Sequence, residues 1–342
     1  MNTSKFSSRR LRILDALKRH ARPVSGAALA AELAGQGMEV SERTVRADLA
    51  ALSREGAVVT FGKRGHLLSA AGRRELSSAS TVQRIGFLSS KIDEMTFGMD
   101  FDLDARSGTV MVNTTVCDAS TLFDAADEIS SVFEKGYSMG TLVALAGPGE
   151  TIGEVTVPEG KVGFCTVCSI TINGILLKHG VPMRSRFGGL VEMRRGVPVR
   201  FAEAIDYNGT SLDPLVIFIR GGFTDYRSAV KTGSGLVGAS FREFPASALD
   251  TVRDIARRAE KAGLGCFLEI GLPGRDLLGV PVGEGCCGAV VIGGLNPVSI
   301  MEERGSHVAA SALSGFLDYD RLFHYSRLKH RLAIAMASAR KG

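Results

Sequence analysis

The sequence contains one structural unit twice, and this duplication restricts the folds that the chain can adopt. Residues 123–180 and residues 249–305 have nearly the same length and the same order of features. Each begins with an amphipathic helix, continues through a strand, a Pro-Gly turn and a short valine strand, and ends with a buried strand that leads into a helix closed by glycine. The preceding segments, 108–120 and 235–247, also match. Self-similarity over this length predicts two similar α/β lobes related by a pseudo-twofold axis.

The repeats predict a duplicated α/β (α+β) domain over residues 85–320, with lobes at about 85–205 and 206–320. Residues 181–213 join the lobes and have no counterpart elsewhere in the chain. Because interfaces between lobes are a usual place for small-molecule sites, we expect this segment to line the seam. The tail, residues 321–342, is predicted to be a basic helix that packs on the body or on a partner subunit.

The N-terminal region is much more basic than the rest of the chain. Residues 1–84 hold 15 Lys and Arg against 7 Asp and Glu, whereas the other residues hold 26 against 29, so the net charges are +8 and −3. A small basic module on a near-neutral body is typical of proteins that bind nucleic acid.

The same region has the element pattern of a winged helix. Apolar periodicity, capping residues and turn residues predict three helices and a hairpin tip, at 8–20, 27–34, 42–54 and 62–65. The sequence therefore predicts a winged-helix domain over residues 1–70, followed by a linker or connecting helix over residues 71–84.

The third predicted helix has the surface of a DNA-recognition helix. Val45, Leu49 and Leu52 form its apolar stripe, and its opposite face presents arginines with alanines between them. Small residues between arginines allow a helix to enter the major groove. The residues expected to contact bases, phosphates or the minor groove are Arg43, Thr44 and Arg46 on the helix and Lys63 and Arg64 on the wing. A winged helix that contacts only protein, or a solvated basic face, is the alternative.

Residues 168–244 carry the features of an anion site. Arginine binds carboxylates and phosphates through two parallel donors, and glycine lets a backbone approach a ligand closely. This stretch contains paired glycines, hydroxyl residues and the arginines Arg184, Arg186, Arg220, Arg227 and Arg242. The candidate ligands of a small dicarboxylate are Arg186, Thr210, Ser211, Arg220 and Arg242. Alternatively, these arginines pair with nearby carboxylates such as Glu203, Asp213 or Asp225 and fix the lobe geometry.

Two cysteines in the first repeat, Cys165 and Cys168, have the spacing of a redox or metal pair. Residues three apart on a strand point to opposite faces, and no second such pair accompanies them, so we expect Cys165 in the core. Cys168 is expected where the strand meets a helix, and the free amides of a helix start attract anions. Simple packing is the alternative role for Cys168.

The motifs expected of common enzymes are missing from the sequence. It has no phosphate-binding loop, no zinc-protease motif, no nucleophile elbow and no dinucleotide fingerprint. We therefore expect neither catalysis nor a bound cofactor. No apolar stretch approaches the roughly 20 residues that span a bilayer, and six scattered cysteines do not form a disulfide framework. These features predict a protein of the reducing cytoplasm with no membrane partner.

Several long motifs resemble the effector domain of the nitrogen-regulation repressors first known from methanogenic archaea. They are CSITINGILLKHG, SRFGGL, NGTSLDPLVIFIRGG, GASFREFPA and VVIGGLNPV. The resemblance runs from about residue 84 to about residue 319. It implies a winged helix coupled to an effector domain that binds 2-oxoglutarate, with ligand binding weakening the hold on the operator. Archaeal members often carry two effector domains in tandem, and this chain has room for one. The resemblance also ties the position of Cys168 to the effector response.

Three functional hypotheses follow. The first is a repressor of nitrogen metabolism that acts as a homodimer on a palindromic double-stranded DNA operator and releases it on binding 2-oxoglutarate or another dicarboxylate. The second is an enzyme that acts on a dicarboxylate and regulates its own synthesis through the winged helix. The third is a scaffold that does not bind DNA.

Overall fold

The computed structural model describes residues 3–20, 22–35, 40–73 and 88–339. The chain divides between Gly86 and Phe87 into two compact units. Most of the predicted linker, residues 74–84, lies outside the described residues, and residues 71–73 are helical.

The first unit is a winged helix, as the sequence predicts. Its elements are α1 (Thr3–Lys18), α2 (Gly26–Gly35), α3 (Glu42–Arg54), β1 (Val58–Thr60) and β2 (His66–Leu68). Ser41 caps α3, because its hydroxyl accepts a hydrogen bond from the amide of Thr44 at 3.2 Å. The leucine-rich sides of the three helices form a common core with the wing, and a bridge between Val24 and His66 joins the hairpin to the start of α2.

The second unit contains eight helices within its described residues. They are α4 (Leu88–Gly98), α5 (Ala119–Glu134), α6 (Thr171–Lys178), α7 (Pro214–Arg220), α8 (Tyr226–Thr232), α9 (Leu249–Lys261), α10 (Ser299–Glu303) and α11 (Leu328–Ala339). None of the helices in the described ranges has both the length and the apolar character needed to cross a membrane.

These helices accompany two antiparallel sheets and a small ribbon. The first sheet comprises β3 (Thr109–Cys117), β4 (Leu142–Ala146), β7 (Val162–Val167), β13 (Ala309–Ser311), β14 (Phe316–Asp318) and β15 (Phe323–His324). The ribbon is β5 (Thr151–Ile152) with β6 (Val155–Thr156). The second sheet has the order β11-β12-β10-β8-β9 and comprises β8 (Arg184–Arg194), β9 (Val197–Asp206), β10 (Gly235–Pro245), β11 (Phe267–Ile270) and β12 (Cys286–Ile292).

The two lobes share one topology. In the first lobe, β3, α5, β4, β7 and α6 follow one another, and the strands lie in the order β4-β7-β3. In the second lobe, β10, α9, β11, β12 and α10 follow one another, and the strands lie in the order β11-β12-β10. Every neighbouring pair among these six strands is antiparallel. The predicted fold class, a winged helix followed by a duplicated effector body, is confirmed.

The predicted bounds of the lobes are wrong in two places. Strands β8 and β9 were placed in the first lobe, yet β8 pairs with β10 and extends the second sheet. Strands β13 to β15 were placed in or beyond the second lobe, yet β13 and β14 pair with β3 and β15 pairs with β4. The sheet that a strand joins depends on long-range pairing. The repeat indicates this pairing only for the strands that lie within it.

The predicted C-terminal helix over residues 321–342 begins later than expected. Phe323 and His324 form β15, and the helix α11 starts only at Leu328. Phe323 is buried and pairs with Val143 of β4, so this segment completes the first sheet. The prediction of one continuous helix over residues 321–342 is therefore wrong at its start.

Candidate functional site

The two repeats make the same backbone contact at their strand–helix junctions. In the first repeat, the amide of Cys168 donates to the carbonyl of Met111 at 2.8 Å. In the second, the amide of Gly293 donates to the carbonyl of Gly238 at 3.0 Å. Met111 and Gly238 occupy matching positions in the segments 108–120 and 235–247, so the junctions obey the pseudo-twofold symmetry.

The junctions approach each other closely at Gly294. A Cβ atom on Gly294 would lie 2.0 Å from the carbonyl oxygen of Val167 and 2.8 Å from Nδ2 of Asn113. Only glycine fits at this position, because any side chain would separate the lobes. The two lobes are therefore in close backbone contact at this junction.

A small polar cavity of about 20 Å³ lies in this seam. The polar side chains that line it are Asn113, Cys168, Ser169, Tyr207, Asp213 and Ser240. Asn113 and Ser240 occupy matching positions of β3 and β10, so the two lobes contribute corresponding residues to the cavity. Ile92 of α4 closes one side of it. A cavity of this volume holds about one water molecule.

Arg242 lies behind this cavity, and its side chain is fully buried. Its Nε donates to Ser240 Oγ at 3.1 Å, and its Nη2 donates to Ser169 Oγ at 2.8 Å. Its Nη1 donates both to the Ser169 carbonyl at 3.0 Å and to Asn173 Oδ1. A guanidinium has five N–H donors. One hydrogen on Nη2 therefore has no acceptor among the described residues.

The partners of Arg242 are all neutral. Burial lowers the pKa of its guanidinium, but arginine remains protonated in proteins. A cation that is buried without a carboxylate partner is costly for a fold. Such a charge behind a polar cavity makes the cavity attractive to an anion.

The titratable groups around the cavity are shifted by burial. Asp213 caps α7, since its carboxylate accepts hydrogen bonds from the amides of Leu215 at 2.8 Å and Val216 at 3.3 Å. Burial nevertheless raises the pKa of Asp213 to about 6. Burial also raises the pKa of the Cys168 thiol to about 12 and raises the pKa of Tyr207. At neutral pH, Cys168 is therefore a neutral thiol rather than a nucleophilic thiolate.

Cys168 itself lies where the sequence predicts, between β7 and α6, and its neighbour Cys165 is buried in the first sheet. The expectation of free amides at this helix start is wrong. The amides of Thr171, Ile172 and Asn173 donate to the carbonyls three residues before them at 2.9–3.3 Å. A tight turn precedes α6 and satisfies these donors, so attraction for an anion comes from Arg242 and the hydroxyls instead.

The other predicted effector ligands do not line the cavity. Arg186 donates to Glu243 Oε1 at 3.0 Å and to the Pro281 carbonyl at 2.7 Å, as in the alternative that arginines fix the lobe geometry. Thr210 donates to the Leu212 carbonyl at 2.8 Å within a turn. Ser211 and Arg220 are exposed. Among the six predicted residues, the structure thus brings together Cys168 and Arg242.

The paired glycines Gly188 and Gly189 allow neighbouring parts of the chain to pack closely. A Cβ atom on Gly188 would lie 2.9 Å from Cβ of Pro214 and 3.0 Å from the hydroxyl of Tyr207. A Cβ atom on Gly189 would lie 2.3 Å from the carbonyl oxygen of Glu203. These glycines let α7 and Tyr207 lie against the second sheet, which holds Tyr207 and Asp213 at the cavity.

Sequence reasoning missed several residues that line the cavity. The repeat alignment contained a signal for Asn113 and Ser240, because these polar residues occupy matching positions on the first strands of the two repeats. Tyr207 had no such signal. Asp213 was considered only as a partner for an arginine, whereas it caps α7.

The recognition face of α3 has the predicted orientation. Val45, Leu49 and Leu52 are buried, whereas Arg43 and Arg46 are exposed. Arg46 forms an ion pair with Glu42 one turn earlier, with 2.5 Å between Nη2 and Oε1. Both side chains are largely in solvent, so this pair is weak and leaves Arg46 able to bind a phosphate.

The remaining DNA-binding candidates lie at the start of α3 and on the wing. Thr44 is half-buried, and its hydroxyl lies 2.8 Å from Ser41 Oγ. Arg64 is exposed at the hairpin tip. The backbone of Lys63 belongs to the same tip, and its side chain lies outside the described residues.

Comparison with known proteins assigns both units. A family model for an HTH domain matches residues 9–66, and a family model described as NrpR regulatory domains NRD1 and 2 matches residues 85–324. The crystal structure of a nitrogen repressor-like protein from Methanococcus jannaschii superposes with a TM-score of 0.60 at 25% identity, and covers 70% of this chain and 99% of that one.

Curated relatives agree with this assignment. The global nitrogen regulator NrpRI of Methanosarcina mazei is 34% identical over 301 residues, which are 88% of this chain and 93% of that protein. The global nitrogen regulator NrpR of Methanocaldococcus jannaschii is 31% identical over 91% of this chain and 54% of its own length, so the chain spans about half of that relative. These relatives are named regulators, which favours a regulator over the enzyme hypothesis. With an HTH domain and a regulatory domain matched over most of its length, the chain belongs to the NrpR family of transcriptional regulators.

Proposed function

We propose that this protein represses genes of nitrogen metabolism and releases its operator when 2-oxoglutarate, or another small dicarboxylate, binds in the seam between the lobes. One observation carries the proposal: Arg242 is a fully buried cation with neutral partners beside a polar cavity. An incoming carboxylate would face this cation across Ser169 and Ser240, and the Asp213 carboxylate in the same cavity would oppose it only while ionised. Ser169, Ser240 and Asn113 would donate hydrogen bonds to it.

The closed cavity is too small for such a ligand. A dicarboxylate is several times larger than a water molecule, and the cavity has only about 20 Å³. Binding therefore requires an open arrangement of the seam. A ligand that binds only the open state shifts the population towards it, and this gives the effector body two states with which to change DNA affinity.

On the DNA side, we propose that two copies of the chain form a homodimer and place their α3 helices in successive major grooves of a palindromic site. Half-site centres would lie about one helical turn of DNA apart, or a multiple of it. The exposed arginines of α3 and the basic wing tip would provide base and phosphate contacts.

A binding assay on selected DNA tests this function. Sites are enriched from random double-stranded DNA with the purified full-length protein, and affinity for the enriched site is measured with and without millimolar 2-oxoglutarate. We expect a palindromic site and a several-fold loss of affinity with 2-oxoglutarate but not with pyruvate. DNA binding that ignores 2-oxoglutarate and related dicarboxylates would remove the effector assignment.

A further inference from the structure

A second, open groove lies beside the seam cavity. It has a volume of about 160 Å³ and is lined by Ser89, Ile92, Asp93, Arg184, Ser185 and Asn208. Ile92 lines both the groove and the cavity. The side chain of Ile92, which is almost fully buried, is therefore a wall common to the two spaces.

Polar contacts connect the groove to the buried cation. Asn173 accepts a hydrogen bond from Arg242 through Oδ1, and its Nδ2 donates to Ser185 Oγ at 3.1 Å. Asn173 is buried, and Ser185 lies in the wall of the groove. Hydrogen bonds through Asn173 therefore link the buried cation to Ser185 in the wall of the groove.

Arg184 provides a second positive charge at the outer end. It lies opposite Glu243 on the neighbouring strand β10, but the carboxylate of Glu243 accepts from Arg186 at 3.0 Å and from the Gly283 amide at 3.0 Å. Within the described ranges, Arg184 forms no ion pair, although Asp93 lines the same groove. Its guanidinium remains available to a carboxylate.

From this arrangement we propose that the effector spans both spaces. One carboxylate lies in the cavity in front of Arg242, the second lies in the groove against Arg184, and Ile92 moves aside to admit the chain between them. This inference deepens the proposed function, on which it rests, because it assigns the selectivity for a dicarboxylate to Arg184. A monocarboxylate would occupy the inner position alone.

The helix that carries Ile92 is suited to act as a gate. Leu88, Ile92 and Met95 are its buried residues, and one bond to a neighbouring turn holds its start, from the Leu88 amide to the Thr210 carbonyl at 2.9 Å. It is also the first described helix after the winged-helix unit in the sequence.

The assignment of Arg184 is tested with two ligands and the full-length protein. Isothermal titration calorimetry compares 2-oxoglutarate with 2-oxopentanoate, which lacks the second carboxylate. Removal of a hydrogen-bonded charge costs at least about tenfold in affinity, so Arg184→Gln should weaken 2-oxoglutarate about tenfold and leave 2-oxopentanoate unchanged. Arg220→Gln, at an exposed arginine outside both spaces, is the matched control and should change neither.

The outcomes separate this inference from the proposed function. If the wild-type protein binds neither these ligands nor related dicarboxylates, the effector assignment in the proposed function fails. Suppose instead that the wild-type protein binds 2-oxoglutarate. If Arg184→Gln then lowers the affinity for both ligands equally, or for neither ligand, the proposed function survives and the role of Arg184 is refuted.

The gate is tested by the rate of association. Ile92→Val removes one methylene from the wall with little cost in packing, and stopped-flow association of 2-oxoglutarate should become faster in this variant. An unchanged or slower rate would show that Ile92 does not control entry.

Discussion

Replacement of Arg242 by methionine should strongly weaken binding of the effector while the effector body stays folded. Methionine retains much of the length of the side chain without charge or donors. The variant separates two roles for a buried arginine, namely the stabilisation of the lobes and the provision of charge for a ligand. The structure predicts that the second role dominates.

Two opposing contributions set the expected stability. Loss of the guanidinium leaves Asn173 Oδ1 without its donor and weakens the bonding of the Ser169 carbonyl, which costs about 1–3 kcal/mol for each buried acceptor. Against this, the fold no longer buries a cation, whose effective penalty is several kcal/mol. We therefore expect the free energy of unfolding to stay within about 2 kcal/mol of the wild-type value. Affinity for 2-oxoglutarate should fall about ten- to a hundredfold.

The tyrosines provide a specific probe for this test. All five lie in the second unit, and the chain contains no tryptophan. Tyrosine fluorescence during urea unfolding thus reports on the effector body alone, and calorimetry with 2-oxoglutarate gives the affinity. A loss of more than about 4 kcal/mol in stability, or an unchanged affinity, would refute the reasoning.

Three further predictions concern the cavity, the seam and the DNA surface. Burial raises the pKa of Asp213 to about 6, so its carboxylate repels an anion above that pH and loses its charge below it. Calorimetry should therefore show that the affinity for 2-oxoglutarate rises as the pH falls from 7 to 5.5, by up to about tenfold per pH unit. In the Asp213→Asn variant, the affinity should not change with pH over this range. Gly294→Ala should destabilise the effector body by about 1–3 kcal/mol in urea unfolding, whereas Gly209→Ala, with open space around its Cβ position, should not. Arg43→Ala and Arg46→Ala should each weaken DNA binding and reduce the slope of log affinity against log salt by about 1; unchanged slopes would favour the scaffold hypothesis.

The repeat made the central topology predictable, because each lobe builds its sheet from strands within one copy. The limits of α3 were also predictable, since Ser41 and Gly56 mark its ends with a capping hydroxyl and a left-handed backbone. Strands outside the repeat were not. The sheet that β15 joins is decided by β4, which lies more than a hundred residues earlier in the chain. The sheet that β8 joins is decided by β10, which belongs to the second lobe.

The same limit applies to the cavity. Arg186 and Arg242 have similar local sequences, rich in small and aromatic residues. Their different roles arise because Arg242 lies on a central strand with neutral neighbours, whereas Arg186 reaches a carboxylate on the adjacent strand. Tyr207 and Asp213 reach the cavity only because Gly188 permits close packing of the chain against the sheet.

The most direct test of the account is a crystal structure of the protein with 2-oxoglutarate. The account predicts a carboxylate between Ser169 and Ser240 with Arg242 behind it, and an opened seam. A ligand bound elsewhere, for example in the open cleft of about 550 Å³ lined by Arg253 and Arg257 of α9, with the seam still closed, would contradict it.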